Sequence, residues 1–269
     1  MAQTRIAFFD IDWTLYDHKN KQWSASALTS IKELKSNGIK CCICTSRPYD
    51  SLKQFGTLDL GIAWDGYVAS AGGVAVVGKK YLRKMIMDPK DIKKMIEAAR
   101  KLHLTLEVVD LKKRKLVFPQ NEYSIAYYKA FNETIPSVRP YQGEEAVALN
   151  LFSPSSIDSK IFRNFPHLFF FRYSPNSVDV TPVPHEKGLA IPAILKHFGF
   201  KKEESIGFGD DLQDISFCQA VGRFVCMGNG KDDLKAISSF VTTPVWDNGV
   251  ENGLRHLGLL GKKDNSNHF

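Results

Sequence analysis

The feature that most constrains this fold is a rhythm of short apolar runs alternating with helical patterns. Ile6 to Phe9 is apolar without interruption and stops on Asp10. A run this short and uniform marks a strand buried on both faces of a parallel sheet. A helical pattern follows, with Leu28, Ile31 and Leu34 on one face; Ser24 or Ser26 caps its start and Asn37-Gly38 stops it. Ile39 to Cys44 predicts the next strand, Pro48 opens a short helix, and Tyr67 to Ser70 predicts a third strand. This strand–helix–strand order is the connection pattern of a parallel α/β sheet.

The rhythm breaks near residue 82 and resumes at Glu186. In between, Asp88 to Leu102 and Asn121 to Phe131 predict helices. Leu104 to Val109, Lys115 to Pro119, Ala146 to Phe152, Leu168 to Arg172 and Ser177 to Val180 predict strands. After the break, helices at Lys187 to Phe198, Leu212 to Ala220, Lys231 to Ser238 and Gly249 to Leu257 alternate with strands at Ser205 to Phe208, Arg223 to Met227 and Phe240 to Thr242. From Gly261 onward the tail is expected to fray. The expected fold is therefore α/β: a Rossmann-like parallel-sheet core over 1–81 and 182–269, with an α+β domain inserted over 82–181.

Composition excludes several classes. A chain of 269 residues, 43% hydrophobic and 24% charged, can bury a core without disulfides or metal staples, which argues against disordered, collagen-like and small disulfide-rich proteins. No stretch approaches the ~18 uninterrupted apolar residues of a membrane span, and the N-terminus lacks a signal-peptide apolar region, so no membrane association is expected. Cys41, Cys42 and Cys44 fall in one apolar run, with Cys218 and Cys226 far away; they are expected to be buried thiols of a cytoplasmic protein. The net charge of +7 suggests an anionic partner of unspecified kind. The insert holds 16 Lys and Arg against 11 Asp and Glu, so most of the bias lies there.

Ligands of open parallel sheets bind outside the carboxyl ends of the strands. Those ends read Asp10-Ile11-Asp12-Trp13-Thr14, Thr45-Ser46-Arg47 and Asp210-Asp211, with Asp214 one turn on; the helix after the insert starts Glu186-Lys187-Gly188. Asp10 and Asp12 share a face of extended backbone. Carboxylates converging at one edge repel unless a cation intervenes, and oxygen ligands of this kind suit Mg²⁺. A lysine and a threonine hydroxyl complete a pocket for a phosphoryl group. One carboxylate can attack phosphorus while a second protonates the leaving oxygen. Each residue alone has an ordinary structural explanation, such as helix N-terminal acids or a solvated lysine; the conjunction in order carries the reading. The seven histidines show no i, i+4 pairing for zinc, and Lys112-Lys113-Arg114-Lys115 reads as a solvated turn rather than a nucleic-acid site.

FFDIDWTL, CTSRP, EKGLAI and GFGDDLQDISF resemble the four motifs of the haloacid dehalogenase superfamily. The α+β insert between the second and third motifs resembles the cap of its Cof-type (type IIB) subfamily, and the C-terminal FVCMGNGKDDLKAISSFVTTPVWDNGVENGL is similar to that subfamily's close. The resemblance implies a Mg²⁺-dependent phosphatase acting on a small phosphorylated substrate, sugar phosphates first, with no nucleic-acid or membrane partner. It implies Asp10 as the nucleophile that becomes an aspartyl phosphate, Asp12 as general acid–base, Thr45 as a phosphoryl-binding hydroxyl and Lys187 as charge balance. Ser46 and Arg47 would face substrate. The metal would bind the Asp10 carboxylate, the Asp12 backbone carbonyl and Asp210, with Asp214 in support.

Three positions depart from the pattern. Trp13 stands where the family usually has Gly, Ala71 where it often has Asn, and Gln213 where it often has Asn. Two further readings stay open at this point: a phosphomutase of the same superfamily, and a catalytically weak protein that binds a phosphorylated ligand.

Overall fold

The computed structural model describes residues 2–261 apart from 112 and 132, and of Tyr173 the backbone only. Lys112 and the tail expected to fray beyond Gly261 lie outside the described residues. The chain divides into two compact units. The first comprises 1–46, 58–82 and 186–269; the second comprises 47–57 and 83–185. Residues 47–57, assigned to the core by sequence, cluster with the second unit. Arg47, Asp50 and Gln54 contribute to a polar network around Arg114 there.

An eight-stranded sheet organises the first unit, in the order Phe240–Val241, Arg223–Cys226, Ser205–Gly209, Ile6–Phe9, Lys40–Cys44, Gly66–Ala69, Val74–Val77 and Lys80–Lys84. The first six run parallel. Ile6–Phe9 lies between Ser205–Gly209 and Lys40–Cys44 and is wholly buried, which is why it carries no polar residue. Below the sheet, Phe8, Cys42, Cys44 and Val68 pack against Ile191, Ile194, Phe217 and Phe224. The cysteines are free thiols, and those of the Cys41–Cys44 run are buried as expected. Helix Ala25–Ser36 follows the expected cap: the Ser24 hydroxyl accepts from the Ala27 N–H, and Asn37 closes the other end.

Several elements went unread in the sequence, among them strand Lys80–Lys84 and helix Asp158–Phe162. Val74–Val77 returns antiparallel to Gly66–Ala69, because the turn through Ser70–Gly72 is too tight to admit a crossover helix. Tyr16–Asp17 and Gln22–Trp23 form a two-residue-per-strand hairpin, too short for a pattern of period two to register. The helices expected at Lys187 and Leu212 each begin as a 3₁₀ turn, Lys187–Ala190 and Leu212–Asp214, before becoming α-helical.

The second unit is an antiparallel five-stranded sheet, ordered Phe169–Ser174, Ser177–Thr181, Ala146–Phe152, Thr105–Asp110 and Arg114–Leu116. Helix Pro89–Lys101, started by Asp88 and Pro89, buries Ile92, Met95, Ile96 and Ala99 against Leu106, Val108, Leu149 and Leu151. On the opposite face Tyr127 and Tyr128 of helix Glu122–Ala130 pack on Leu116 and Phe152. Of the basic run, Lys113 is exposed as expected, whereas Arg114 and Lys115 are buried. The Arg114 side chain is only 3% exposed, held by Asp50, Glu133 and Glu107, and Lys115 pairs with Glu144. Among the described residues, no helix is long and apolar enough to cross a membrane.

Candidate active site

The candidate residues of the first unit converge at the carboxyl edge of its parallel strands. Asp10 follows Ile6–Phe9 directly, and its N–H donates to the Phe208 carbonyl at 2.9 Å, continuing the ladder by one residue. Asp210 follows Ser205–Gly209 in the same way on the adjacent strand. Adjacent parallel strands in register thus deliver both carboxyls to one edge.

Lys187 enters from the turn after the second unit. Two glycines fix that turn. Gly72, at φ +89°, lies so close that a Cβ there would sit 2.2 Å from the Glu186 carbonyl oxygen. At Gly188 a Cβ would meet the Ser216 carbonyl at 2.1 Å. Backbone therefore presses on both sides of Lys187, and its side chain is 4% exposed. Its Nζ lies 2.9 Å from Oδ1 of Asp10 and donates to Oδ1 of Asp214 at 2.7 Å. The other Asp214 oxygen accepts from the N–H groups of Asp210 and Asp211, at 3.0 and 3.1 Å. Asp214 is thus fully engaged in holding Lys187 and the Asp210 loop. The Thr14 hydroxyl donates to Oδ1 of Asp210 at 3.1 Å.

One ammonium does not balance these acids. The Asp10 carboxyl is pushed up to about 8, chiefly by burial; Lys187 opposes the rise, while Asp214 and Asp12 add to it. Burial likewise raises Asp210 well above the carboxylate range, with Asp10 and Asp214 adding to the rise and Lys187 and Thr14 opposing it. Burial disfavours the Lys187 ammonium, but Asp10 and Asp214 outweigh it and hold the lysine well above its ordinary value. Ligand oxygens of Asp10, Asp210 and Asp214 all lie within 4.8 Å of one another. An all-oxygen set with surplus negative charge fits a hard divalent cation, which would relieve the repulsion that now favours protons.

The other sequence candidates are placed as follows. Thr45, one residue beyond Lys40–Cys44, is 1% exposed, and its N–H donates to the Val68 carbonyl at 2.9 Å. The Ser46 hydroxyl donates to Oε1 of Gln213 at 2.5 Å, so the glutamine links the second and fourth motifs. Arg47 belongs to the second unit, where it lies 3.8 Å from Glu133 and 3.5 Å above the Phe55 ring. The Asp12 carboxyl lies outside the three-acid cluster; its Oδ1 is 2.6 Å from Nε2 of His18. Sequence reasoning assigned no role in the site to His18 or Thr14. His18 lies six residues from Asp12, but only the hairpin turns it back. Trp13 and Ala71 both have left-handed backbone, φ 60° and 48°, the conformation that glycine and asparagine adopt most readily.

Comparison with known proteins adds three kinds of likeness. The family model described as haloacid dehalogenase-like hydrolase matches residues 7–254. YkrA of Bacillus subtilis is 28% identical over 269 residues, covering 96% of this chain and 99% of its own. Phosphoglycolate phosphatase 1 of Saccharolobus solfataricus is 25% identical, covering 97% and 98%. The solved structure of a haloacid dehalogenase subclass IIB sugar phosphatase is 26% identical with a TM-score of 0.79, covering 96% of this chain and all of that one.

Proposed function

The chain belongs to the haloacid dehalogenase-like hydrolases, and from that premise we propose that it hydrolyses phosphate monoesters of small metabolites, using Mg²⁺ and an aspartyl phosphate on Asp10. The observation that carries this reading is the Lys187 ammonium held between Asp10 and Asp214, with Asp210 beside them at the carboxyl edge of the sheet. A structural salt bridge needs one acid and one base. A buried surplus of acids around one lysine is instead what a site needs to receive a cation and a phosphoryl group together.

Asp10 and Asp210 would hold the cation through their carboxylates and Asp12 through its backbone carbonyl. The bound cation would screen the phosphoryl oxygens and keep Asp10 ionised. An oxygen of Asp10 attacks phosphorus, the bond to the leaving alcohol breaks, and Asp12 gives its proton to the departing oxygen. Water then attacks the aspartyl phosphate and passes its proton to the Asp12 carboxylate; the bond to Asp10 breaks, and inorganic phosphate leaves with Asp10 restored. Lys187 balances the charge on Asp10 and phosphate throughout. Thr45 binds a phosphoryl oxygen, and the Ser46 hydroxyl would do so only by turning its proton from Gln213 to the substrate. Sugar phosphates come first as substrates, supported by likeness to the subclass IIB sugar phosphatase.

Phosphate release from a panel of sugar phosphates, phosphoglycolate and p-nitrophenyl phosphate, with Mg²⁺, tests the reading. Wild type should release phosphate from at least one compound, and Asp10→Asn from none. A wild type as inert as the variant on every compound refutes it.

A further inference from the structure

The proposed chemistry needs no histidine beside Asp12, yet one is built in. His18 follows the first strand of the short hairpin, and three sets of contacts fix its ring. The ring lies between Trp13, with centroids 5.2 Å apart, and Tyr16, edge-on at 4.9 Å. The turn after it is pinned by Asp17, whose Oδ1 accepts from the N–H groups of Lys19 and Asn20 at 2.8 and 3.3 Å. Trp13 is itself held: its N–H donates to the Tyr16 carbonyl at 2.9 Å, and its carbonyl accepts from the Asn229 amide at 3.0 Å. Its indole meets Trp246 edge-on at 6.5 Å.

Trp13 stands in left-handed backbone, which costs a side chain of this size energy that glycine would not spend. Trp13 remains 37% exposed, so core burial does not explain it. What the indole does is wall one side of His18. From this we infer that His18 is a positioning residue for Asp12: its Nε2 fixes the Asp12 carboxyl at 2.6 Å, while Trp13 and Tyr16 hold the imidazole. The inference rests on the reading of Asp12 as acid–base in phosphate-ester hydrolysis.

A carboxyl that must hand a proton to a leaving oxygen loses rate when free to rotate. The loss depends on the leaving group. An alkoxide leaves poorly without a proton, whereas p-nitrophenolate leaves well without one. kcat/KM reports the step in which the leaving group departs; hydrolysis of the aspartyl phosphate is common to both esters. His18→Phe keeps a ring between Trp13 and Tyr16 but deletes Nε2. His18→Gln removes the ring but offers an amide N–H at similar reach. The His18 side chain is 32% exposed, so neither change empties a core.

For the best alkyl phosphate of the panel, His18→Phe should lower kcat/KM about tenfold or more, a part of the ~10²–10⁴ that general acid catalysis supplies. For p-nitrophenyl phosphate the same variant should stay within about twofold, and His18→Gln should recover most of the alkyl-ester rate. Equal losses on both esters, no loss on either, or a loss that glutamine does not recover overturns the role of His18. In those cases a wild type still active beside an inert Asp10→Asn leaves the phosphatase reading standing. A wild type no more active than Asp10→Asn on both esters overturns both.

Discussion

Replacing Lys187 with methionine removes one charge from the centre of the site while keeping most of the side chain's length. The cost is therefore electrostatic rather than a cavity. In the wild type the ammonium lies 2.9 Å from Asp10 and 2.7 Å from Asp214, at 4% exposure. Removing one partner of a buried pair typically costs ~3–5 kcal/mol, because the other charge is left uncompensated. Here two carboxylates lose their cation, so Lys187→Met should destabilise by at least the lower figure. The pH dependence follows from the Asp10 shift. Its carboxyl is raised from an ordinary 3.8 to about 8 in the fold, so the folded protein binds the extra proton and stability falls as pH rises between those values. Without Lys187 the carboxyl rises further, so in the variant the fall continues beyond pH 8, and the gap from wild type widens there. All four tryptophans, Trp13, Trp23, Trp64 and Trp246, lie in the first unit, so their fluorescence reports the unfolding of the unit that holds the site. Urea melts at pH 6 and pH 8.5, without added metal, measure the difference; in a thermal melt it corresponds to a drop of about 10 °C. A loss below about 1 kcal/mol at pH 8.5, or a gap that narrows with pH, would refute the view that Lys187 neutralises a buried acid cluster.

Millimolar Mg²⁺ should raise the fluorescence melting temperature more at pH 8 than at pH 5.5, because at the lower pH it must displace protons from Asp10 and Asp210; a shift independent of pH, or one retained by Asp10→Asn, counts against that site. Gly72→Ala should destabilise the first unit by about 2 kcal/mol or more and lower kcat. Its Cβ would meet the Glu186 carbonyl at 2.2 Å and displace the turn that carries Lys187; a variant with unchanged melting and kcat would contradict this. Arg114→Met should destabilise the second unit by ~3–5 kcal/mol, since the guanidinium donates to Glu133 at 2.6 Å, Asp50 at 3.2 Å and Gln54 at 3.1 Å. Hydrogen exchange should speed up across Thr105–Asp110 and Arg114–Leu116 while the tryptophan melt stays in place.

Much of the fold was legible because its signals are local. Ile6–Phe9 could be read as a central strand because burial on both faces leaves no room for a polar residue. Ser24 and Asp88 announced helix starts because a cap needs a short polar side chain within three residues of the N–H it satisfies. The hairpin at Tyr16–Trp23 and the return strand Val74–Val77 escaped for the opposite reason. Their lengths are too short for a period, and their pairing is fixed by turns and neighbours.

The same division runs through the site. Asp10, Asp12, Thr45, Lys187 and Asp210 could be nominated from sequence, since each stands at the end of a predicted strand or the start of a predicted helix, and a parallel sheet sends such residues to one edge. What each side chain does there was decided by contacts between residues far apart in the chain. The Thr14 hydroxyl reaches Asp210 across 196 positions, and Ser46 reaches Gln213 across 167. Asp214 spends both oxygens on Lys187 and the Asp210 loop, which no spacing rule foretells. Arg114 looked like part of a solvated basic turn and proved to be a buried hub, because exposure depends on which acids fold over it. Sequence fixes which groups are available and which edge they reach. Burial and partners set their charge states, because desolvation and Coulomb energy depend on distances that only the folded chain defines.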